Sequence, residues 1–339
     1  MWNIGRTIYL VSEGSYVRCN DATITVEMKD GSSHSVGYDA ISQIVIFYDS
    51  TTLSAYVMRC CAEHLITIHY VNCYGKYIGS FMGDKTGNVL LRRLQFEMIG
   101  SSKSLELVRN LLCAKFRNTV WLLKYFGYHN TQKEKIDTVV SSIRTCAKSL
   151  KTLQSIDEMR VLEAQVAKLY YSCFDDLLKV EEFRFEKRSQ RPPLNEVNAL
   201  LSFFYTVCTT TCDSALLVKG LDAECGYLHT LRSGRKSLAC DLVEEFRACI
   251  VDRFVISIIN RKEVVLSDFI NENGKIRLND DKRKILLQKW TEYLNHTMVK
   301  HRLYDKDVSL KILMYEQAQL MAQYVRGDID AYPAFFMQK

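Results

Sequence analysis

The sequence is poor in the features that identify secreted and membrane-spanning proteins. Only three prolines occur among 339 residues. No run of residues reaches the roughly 18 consecutive apolar positions that a membrane-spanning helix needs. The first residues, MWNIGRTIYLVSEGSY, lack the basic stretch followed by a long apolar stretch that is typical of a signal peptide. We therefore expect a cytoplasmic protein without a membrane segment.

Closely spaced cysteine pairs are also scarce, although the chain contains 12 cysteines. Zinc ribbons need thiolates at short spacing, and only Cys208 and Cys212 come close to it. Small disulfide-stabilised domains are short and rich in cysteine, whereas this chain is long. We expect free thiols. The chain also has no HExxH, Walker A or GxGxxG motif, which excludes the enzyme classes that those motifs identify.

The charge balance permits a polyanionic partner without requiring one. The 45 Lys and Arg residues exceed the 39 Asp and Glu residues by a formal charge of +6. Dedicated nucleic-acid modules are usually more basic than this. Hydrophobic residues make up 47% of the chain, which is ordinary for a globular protein. Any function must therefore follow from where the charged residues lie.

The pattern of apolar residues predicts an α+β protein with two domains. Four runs rich in β-branched residues lie before residue 83, together with one segment of helical spacing and a tight turn at Asn72–Gly75. From Asn88, a predicted helix cap, the apolar period is mostly 3.6. We predict a small β-rich domain over residues 1–83 and a larger all-α domain over residues 84–339. The predicted strands are 7–11, 22–26, 41–48 and 65–71.

A predicted helix over residues 157–179 carries a carboxylate beside its buried face. Apolar residues recur there at steps of three and four, and Glu163 lies next to this stripe. Burying a carboxylate is costly unless a cation, a metal or a hydrogen-bond donor compensates it. On this helix alone, a salt bridge to an arginine is the more ordinary explanation.

A second candidate segment combines a histidine with two acids. His229 lies in a polar loop, and Ser237 is the predicted cap of the helix that follows. Asp241 and Glu244 are three residues apart, so about 60° separates them around the helix axis. Acids near a helix start also suit the helix dipole, which is the simpler explanation. However, one imidazole with two or three carboxylates forms a mixed site that suits Mg²⁺ or Mn²⁺.

Basic residues accompany both candidate segments. Near His229 they would repel a metal ion unless an anion such as a phosphodiester bridged them. The segment 183–195 mixes arginines with phenylalanines, a composition that can follow a nucleic-acid backbone and stack on bases, although a solvated charged turn is equally compatible. The candidate DNA-binding residues are Arg184, Arg188, Arg191, Arg232, Arg235 and Lys236.

Together these residues resemble a known family. The stretches Gly226–His229 and Asp241–Arg247, with the Asn-Ala-Leu-Leu-Ser run at 198–202 and Glu163 upstream, resemble the CRISPR-associated integrase-endonuclease of spacer acquisition. The likeness extends along the whole chain and looks most like the type I-C branch.

The resemblance implies both an architecture and an activity. It implies a β-rich domain that forms a homodimer, a helical catalytic domain, a small ferredoxin-like partner protein and double-stranded DNA as substrate. It also implies that Glu163, His229 and Glu244 are catalytic and hold Mg²⁺ or Mn²⁺. Asp241 matches a second acid beside that site and is a further candidate ligand.

Two positions depart from the family pattern. Glu244 stands where many relatives have aspartate, and its side chain is one methylene longer. Asn195 stands where relatives often have aspartate, so we assign it no catalytic role. Neither change removes a residue that the resemblance requires for metal binding.

The expected reaction is the transfer of a DNA 3′-hydroxyl to a phosphodiester at the end of a CRISPR repeat. Two other functions remain open from the residues alone. The chain could be a general nuclease of branched DNA in repair, without a CRISPR partner. It could also be a non-catalytic DNA-binding scaffold whose acids serve helix capping and salt bridges.

Overall fold

The structure is a computed structural model that describes residues 5–72, 74–83, 88–128, 130–190, 192–301, 303 and 305–338. In its N-terminal part, two four-stranded sheets flank one helix, with strand orders β1-β5-β7-β8 and β4-β3-β2-β6. The elements there are β1 (Arg6–Leu10), β2 (Tyr16–Cys19), β3 (Thr23–Glu27), β4 (Ser33–Gly37), β5 (Ile41–Ile46), β6 (Thr52–Leu53), α1 (Ala55–Glu63), β7 (Thr67–Val71) and β8 (Tyr77–Phe81).

The β-rich N-terminal part agrees with the sequence prediction in its main features. The four predicted strands correspond to β1, β3, β5 and β7, and the predicted turn at Asn72 joins β7 to β8. The parallel pairs β1–β5 and β5–β7 form the centre of the first sheet, and α1 lies in the connection between β5 and β7. Ser54 caps α1 by accepting a hydrogen bond from the Val57 amide at 3.3 Å. Strands β2, β4 and β6 were not predicted, because they are short and mostly lack an apolar alternation.

The C-terminal part is mainly helical. Asn88 caps its first helix, as predicted, through a hydrogen bond from the Leu91 amide. The elements are α2 (Val89–Glu97), α3 (Ser102–Gly127), α4 (Lys133–Ser149), α5 (Ile156–Tyr171), α6 (Glu196–Val218), α7 (Ser237–Val243), a π-helical turn (Arg247–Asp252), α8 (Arg253–Asn260), β9 (Phe269–Glu272), β10 (Lys275–Leu278), α9 (Asp280–His296), β11 (Met298–His301), β12 (Lys306–Ser309) and α10 (Leu310–Arg326).

The expectation of an all-α C-terminal part is not confirmed, because two antiparallel hairpins interrupt the helices. Strands β9 and β10 pair across Asn273 and Gly274, whose φ angles are 54° and 79°. An Asn-Gly pair with both φ angles positive is the signature of a tight hairpin turn. Strands β11 and β12 form the second hairpin. The domain boundary between residues 83 and 84 stays a prediction, since residues 84–87 lie outside the described residues.

Helix α6 is the central helix of the C-terminal core. Asn195 caps it by accepting a hydrogen bond from the Asn198 amide at 2.8 Å, which gives this residue a structural role. The helix is long and apolar enough to cross a membrane, but 72% of its most apolar window is buried inside the protein. The burial of this helix therefore fits a position in the protein core.

The C-terminal tail packs against the core. Tyr332 and Phe335 are 2% and 5% exposed. Both contact Glu245, to which the Phe335 amide donates a hydrogen bond at 2.6 Å. The sequence around Tyr332–Phe336 suggests an exposed apolar segment for partner docking, and the exposure expected of Tyr332 and Phe335 is not found.

A buried polar cluster joins the N-terminal sheet to α6. The Nε2 atom of His69 on β7 lies 2.7 Å from the Ser214 hydroxyl, which donates to Gln43 on β5 at 2.7 Å. Asp213 lies beside them, 3.5 Å from the other ring nitrogen of His69. Among the described residues, none donates a hydrogen bond to either carboxylate oxygen of Asp213. Burial raises the pKa of this carboxyl to about 7.

Asp213→Asn is expected to become more stable relative to the wild type as the pH rises. Because the folded protein holds the Asp213 proton more tightly than the unfolded chain, wild-type stability falls as the pH rises towards 7, whereas asparagine cannot ionise. The gain should be larger at about pH 8 than at about pH 5, by about 1 kcal/mol or more. Urea unfolding at both pH values measures it, with the exposed Asp49→Asn as control. An equal difference at both pH values contradicts the assignment.

Candidate functional site

The structure brings Glu163, His229 and Glu244 together from three separate elements. Glu163 projects from α5, His229 from the loop before α7, and Glu244 follows the last residue of α7. The Nε2 atom of His229 lies 3.8 Å from Glu244 Oε1. Lys115 on α3 connects the two glutamates, because its ammonium forms an ion pair with Glu163 and lies 2.7 Å from Glu244 Oε2.

Helix α5 positions Glu163 through a strong N-terminal cap. The Ser155 hydroxyl accepts a hydrogen bond from the Glu158 amide at 3.2 Å, and the Glu158 carboxylate accepts from the Ser155 amide at 3.1 Å. This reciprocal pair fixes where the helix starts and therefore which face carries Glu163. Val166 and Tyr170 anchor the helix to the core, while Glu163 keeps a partly exposed side chain.

Asp241 fixes the loop that carries His229. This buried carboxylate accepts hydrogen bonds from the backbone amides of Tyr227, Leu228 and His229 at 2.6, 3.0 and 2.9 Å. It also lies 2.7 Å from Nδ1 of His229. The imidazole therefore directs Nε2 towards Glu244. The expectation that Asp241 is a further metal ligand is not supported, since both of its oxygens already hold the loop.

Asp241→Asn is expected to lower any activity that depends on His229 by roughly 10- to 100-fold, the usual effect of losing a residue that orients a ligand. An asparagine side chain presents an amide group where the loop amides and the imidazole all donate. The expected change is therefore a misplaced imidazole in a folded protein. Strand-joining rates, with thermal melting to verify folding, measure it. Unchanged joining by Asp241→Asn contradicts the orienting role.

Glu244 lies at the C-terminal end of α7, whereas the sequence analysis predicted that it lies near the start of this helix. Lys236, not Ser237, occupies the cap position, and the Ser237 hydroxyl donates to the Thr230 carbonyl at 3.3 Å. Helix α7 ends at Val243, and a π-helical turn follows. The helix dipole disfavours negative charge at a C-terminal end. A favourable interaction with the dipole therefore does not explain why an acid stands at position 244.

Nearby cations account for the ionised state of Glu244, whose side chain is 4% exposed. Burial would raise the pKa of this carboxyl, but Arg247, Lys115 and His229 together lower it to about 2. Burial likewise opposes the charge on Lys115, and the two glutamates outweigh it and raise the Lys115 pKa. The glutamates and the two cations thus form one mutually stabilised cluster.

Tyr205 and Asp252 form a buried pair that packs against the cluster through Arg247. The Arg247 guanidinium lies 4.5 Å from the ring centre of Tyr205, and its Nε atom is 3.3 Å from Glu244. The Tyr205 hydroxyl donates to buried Asp252, which also accepts from Tyr170 at 2.8 Å. Arg247, three residues after Glu244, could have been noticed from its spacing. Nothing in the sequence connects Lys115 or Tyr205 with the site.

The predicted DNA-binding residues differ in how exposed the structure leaves them. Arg184 and Arg232 are exposed and Arg235 is partly exposed, which leaves them available. Arg191 lies outside the described residues. Arg188 is partly buried and donates hydrogen bonds to the Asn198 and Ser202 side chains, so the structure gives it a role within the protein and its assignment to DNA stays a prediction.

Lys236 also has a different role from the predicted one. Its ammonium lies 3.4 Å from Glu224, and its side chain is only 18% exposed.

The phenylalanines of the 183–195 segment are buried, with Phe183 and Phe185 at 2% and 3% exposure. They pack inside the protein and cannot stack on bases.

A groove of about 660 Å³ leads to His229. It runs between the start of α3 and the start of α5, and Arg160 and Thr230 lie on its walls. His229 is thus the member of the site that lines this groove, and its side chain is 22% exposed. As the side chains stand, no three His, Cys, Asp or Glu side chains within the described ranges lie close enough to enclose a metal ion. The Glu163 and Glu244 carboxylates nevertheless both contact the Lys115 ammonium. Together with the His229 imidazole they offer suitable donor atoms for Mg²⁺ or Mn²⁺.

Comparison with known proteins identifies the family. The model of the family "CRISPR associated protein Cas1" matches residues 8–292. A CRISPR-associated endonuclease Cas1 from Chlorobaculum tepidum is 33% identical over 336 residues, which cover 97% of each chain. The chain belongs to the Cas1 family. A second Cas1 endonuclease, from Rhodospirillum rubrum, is 34% identical over 97% of this chain and 98% of the relative.

Solved structures show that the whole chain has the Cas1 architecture. A CAS1 protein from Thermotoga maritima superimposes with a TM-score of 0.81 at 25% identity, over 98% of this chain and 99% of the other. A casposase bound to its integration product superimposes with a TM-score of 0.84 at 19% identity, over 98% and 95%. The β-rich N-terminal part and the helical C-terminal part are therefore those of a Cas1 protein.

Proposed function

We propose that this Cas1-family chain is a metal-dependent DNA endonuclease and integrase that inserts short DNA fragments into a CRISPR array. The observation that carries the proposal is that Lys115 contacts both Glu163 and Glu244 while Nε2 of His229, which lines the groove, lies 3.8 Å from Glu244. Its full-length Cas1 relatives are named CRISPR-associated endonucleases. The casposase that shares its fold was solved with an integration product.

In the proposed mechanism, Glu163, the Nε2 atom of His229 and Glu244 would hold Mg²⁺ or Mn²⁺. When bound, this ion would stabilise negative charge on the reacting phosphodiester. Asp241 keeps the His229 tautomer with Nε2 free, and Arg247 keeps Glu244 ionised. The groove aligns the DNA so that the 3′-hydroxyl of a captured fragment faces the phosphodiester that it attacks. The bond to the new strand forms as the bond to the leaving 3′-oxygen breaks.

The exposed arginines are proposed to hold the DNA backbone beside this site. Arg232 and Arg235 lie on the loop between His229 and α7, and Arg184 lies on the surface of the 183–195 segment. Such contacts fix the position of the duplex without reading its sequence.

The proposed assembly and cellular setting follow the family resemblance. We propose a homodimer through the β-rich part, a small ferredoxin-like partner protein, a type I-C setting and a cytoplasmic location. Size determination of the purified chain, alone and with the partner, tests the assembly.

The function is tested by incubating the chain and its partner with a labelled duplex fragment and a plasmid carrying a CRISPR repeat. Joined product is expected with Mn²⁺ or Mg²⁺ and should disappear with a chelator. Cleavage of branched DNA without preference for the repeat would favour a repair nuclease. DNA binding without any product, with or without chelator, would favour a scaffold and refute the proposed catalysis.

A further inference from the structure

The space on which the two glutamates converge is already filled by a cation of the protein itself. Lys115 lies in the middle of α3, and its side chain is 12% exposed. Its ammonium touches both Glu163 and Glu244 and separates them. A metal ion shared by these carboxylates would have to take the place of this ammonium.

The two glutamates and the two cations that contact them balance in charge without a divalent ion. Glu163 and Glu244 carry two negative charges, and Lys115 and Arg247 carry two positive charges. A divalent ion beside an ammonium in this weakly solvated site would meet strong repulsion. The carboxylates can therefore serve Lys115 or a metal, but not both at the same distances.

A small cavity gives the displaced ammonium a place to go. It has a volume of about 40 Å³, which exceeds the space that one water molecule needs. Its lining includes the charged residues Lys115, Glu163, Arg247 and Asp252, together with the hydroxyl-bearing Thr119 and Tyr205. Hydroxyl and carboxylate oxygens there are suitable acceptors for an ammonium.

We propose that Lys115 is a built-in counter-cation that holds Glu163 and Glu244 before a metal binds and withdraws into this cavity when a divalent ion takes its place. Lys115 is thus a positioning residue, which keeps two repelling carboxylates at the site while no metal is present. This inference rests on the proposed function, since it requires that these glutamates bind a metal.

Titration of the full chain with Mn²⁺, followed by the electron paramagnetic resonance signal of the free ion, tests the proposal. Lys115→Met is expected to bind Mn²⁺ at least about tenfold more tightly than the wild type, within the range by which residues next to ligands change metal affinity. It should also melt at a lower temperature than the wild type in chelator and recover with Mn²⁺. If the methionine variant does not fold, Lys115→Gln replaces it, because its amide can donate to one carboxylate.

Two matched variants separate the effect of removing the positive charge of Lys115 from the effect of substituting a lysine as such. Lys115→Arg keeps the positive charge and should bind Mn²⁺ no more tightly than the wild type does. Lys168→Met removes an exposed lysine from α5 and should change nothing. If the wild type binds Mn²⁺ and neither neutral Lys115 variant binds it more tightly, the counter-cation role is overturned while the proposed function stands. If neither the wild type nor the variants bind Mn²⁺, both proposals fail.

Discussion

Glu244→Gln is expected to lower strand joining by about a thousandfold or more, the largest effect of any single change considered. Several kcal/mol of charge stabilisation disappears with a metal-binding carboxylate, and each 1.4 kcal/mol is a factor of ten in rate. Glutamine has nearly the same size, so the packing of α7 should persist. Arg247 and Lys115 lose their shared partner, and the residual cluster should no longer attract a divalent cation.

The measurement is the rate of joining of a labelled fragment to a repeat-containing plasmid at saturating Mn²⁺. The exposed Glu182→Gln is the matched control and should join at the wild-type rate. Thermal melting shows whether the variant is folded. A folded Glu244→Gln that joins within about tenfold of the wild-type rate contradicts the assignment.

His229→Ala is expected to reduce joining by about a hundredfold or more, because it removes the one nitrogen ligand proposed for the site. The substitution also leaves Asp241 with only its backbone donors, which still number three. The loop should therefore keep its position. The exposed His34→Ala is the control.

Combining His229→Ala with Glu244→Gln adds a sharper test. Residues that act through one metal ion lose most of the activity at the first substitution, so the double variant should be little slower than Glu244→Gln alone. Independent roles would instead give multiplied losses. Rates that multiply fully would exclude a shared ion.

Local patterns in the sequence were enough to predict the central strands of the N-terminal part and the mainly helical character of the C-terminal part. The β-branched runs of β1, β5 and β7 and the Asn88 cap are local signals, because each depends on a few neighbouring residues. The hairpin at Asn273 and Gly274 carries an equally local signal, the Asn-Gly pair itself. By contrast, the end of α7 at Val243 depends on the π-helical turn that follows it, which no pattern announces.

The candidate site divides in the same way. Asp241 and Glu244 were found because their spacing lies within one segment. Whether Asp241 faces a metal or the loop amides depends on the path of residues 226–236, which only the fold determines. Arg188 and Lys236 looked like DNA contacts because both are basic. In the structure Arg188 bonds the Asn198 and Ser202 side chains, and Lys236 pairs with the half-exposed Glu224.

Lys115 shows most clearly what a sequence cannot reveal. It lies 48 residues before Glu163, in a helix whose pattern is otherwise that of a core element. Its role follows only from the packing of α3 against α5 and the π-helical turn. A lysine in such a helix is ordinarily expected to extend its charge to the surface.

The most direct test of the account is a crystal structure of the chain with Mn²⁺, using the anomalous scattering of the metal to locate it. We expect one strong peak bound by carboxylate oxygens of Glu163 and Glu244 and by Nε2 of His229, at roughly 2.0–2.3 Å from each ligand atom. A peak elsewhere, or none at saturating Mn²⁺ with Lys115 still between the glutamates, would contradict the proposed metal site and the chemistry that depends on it.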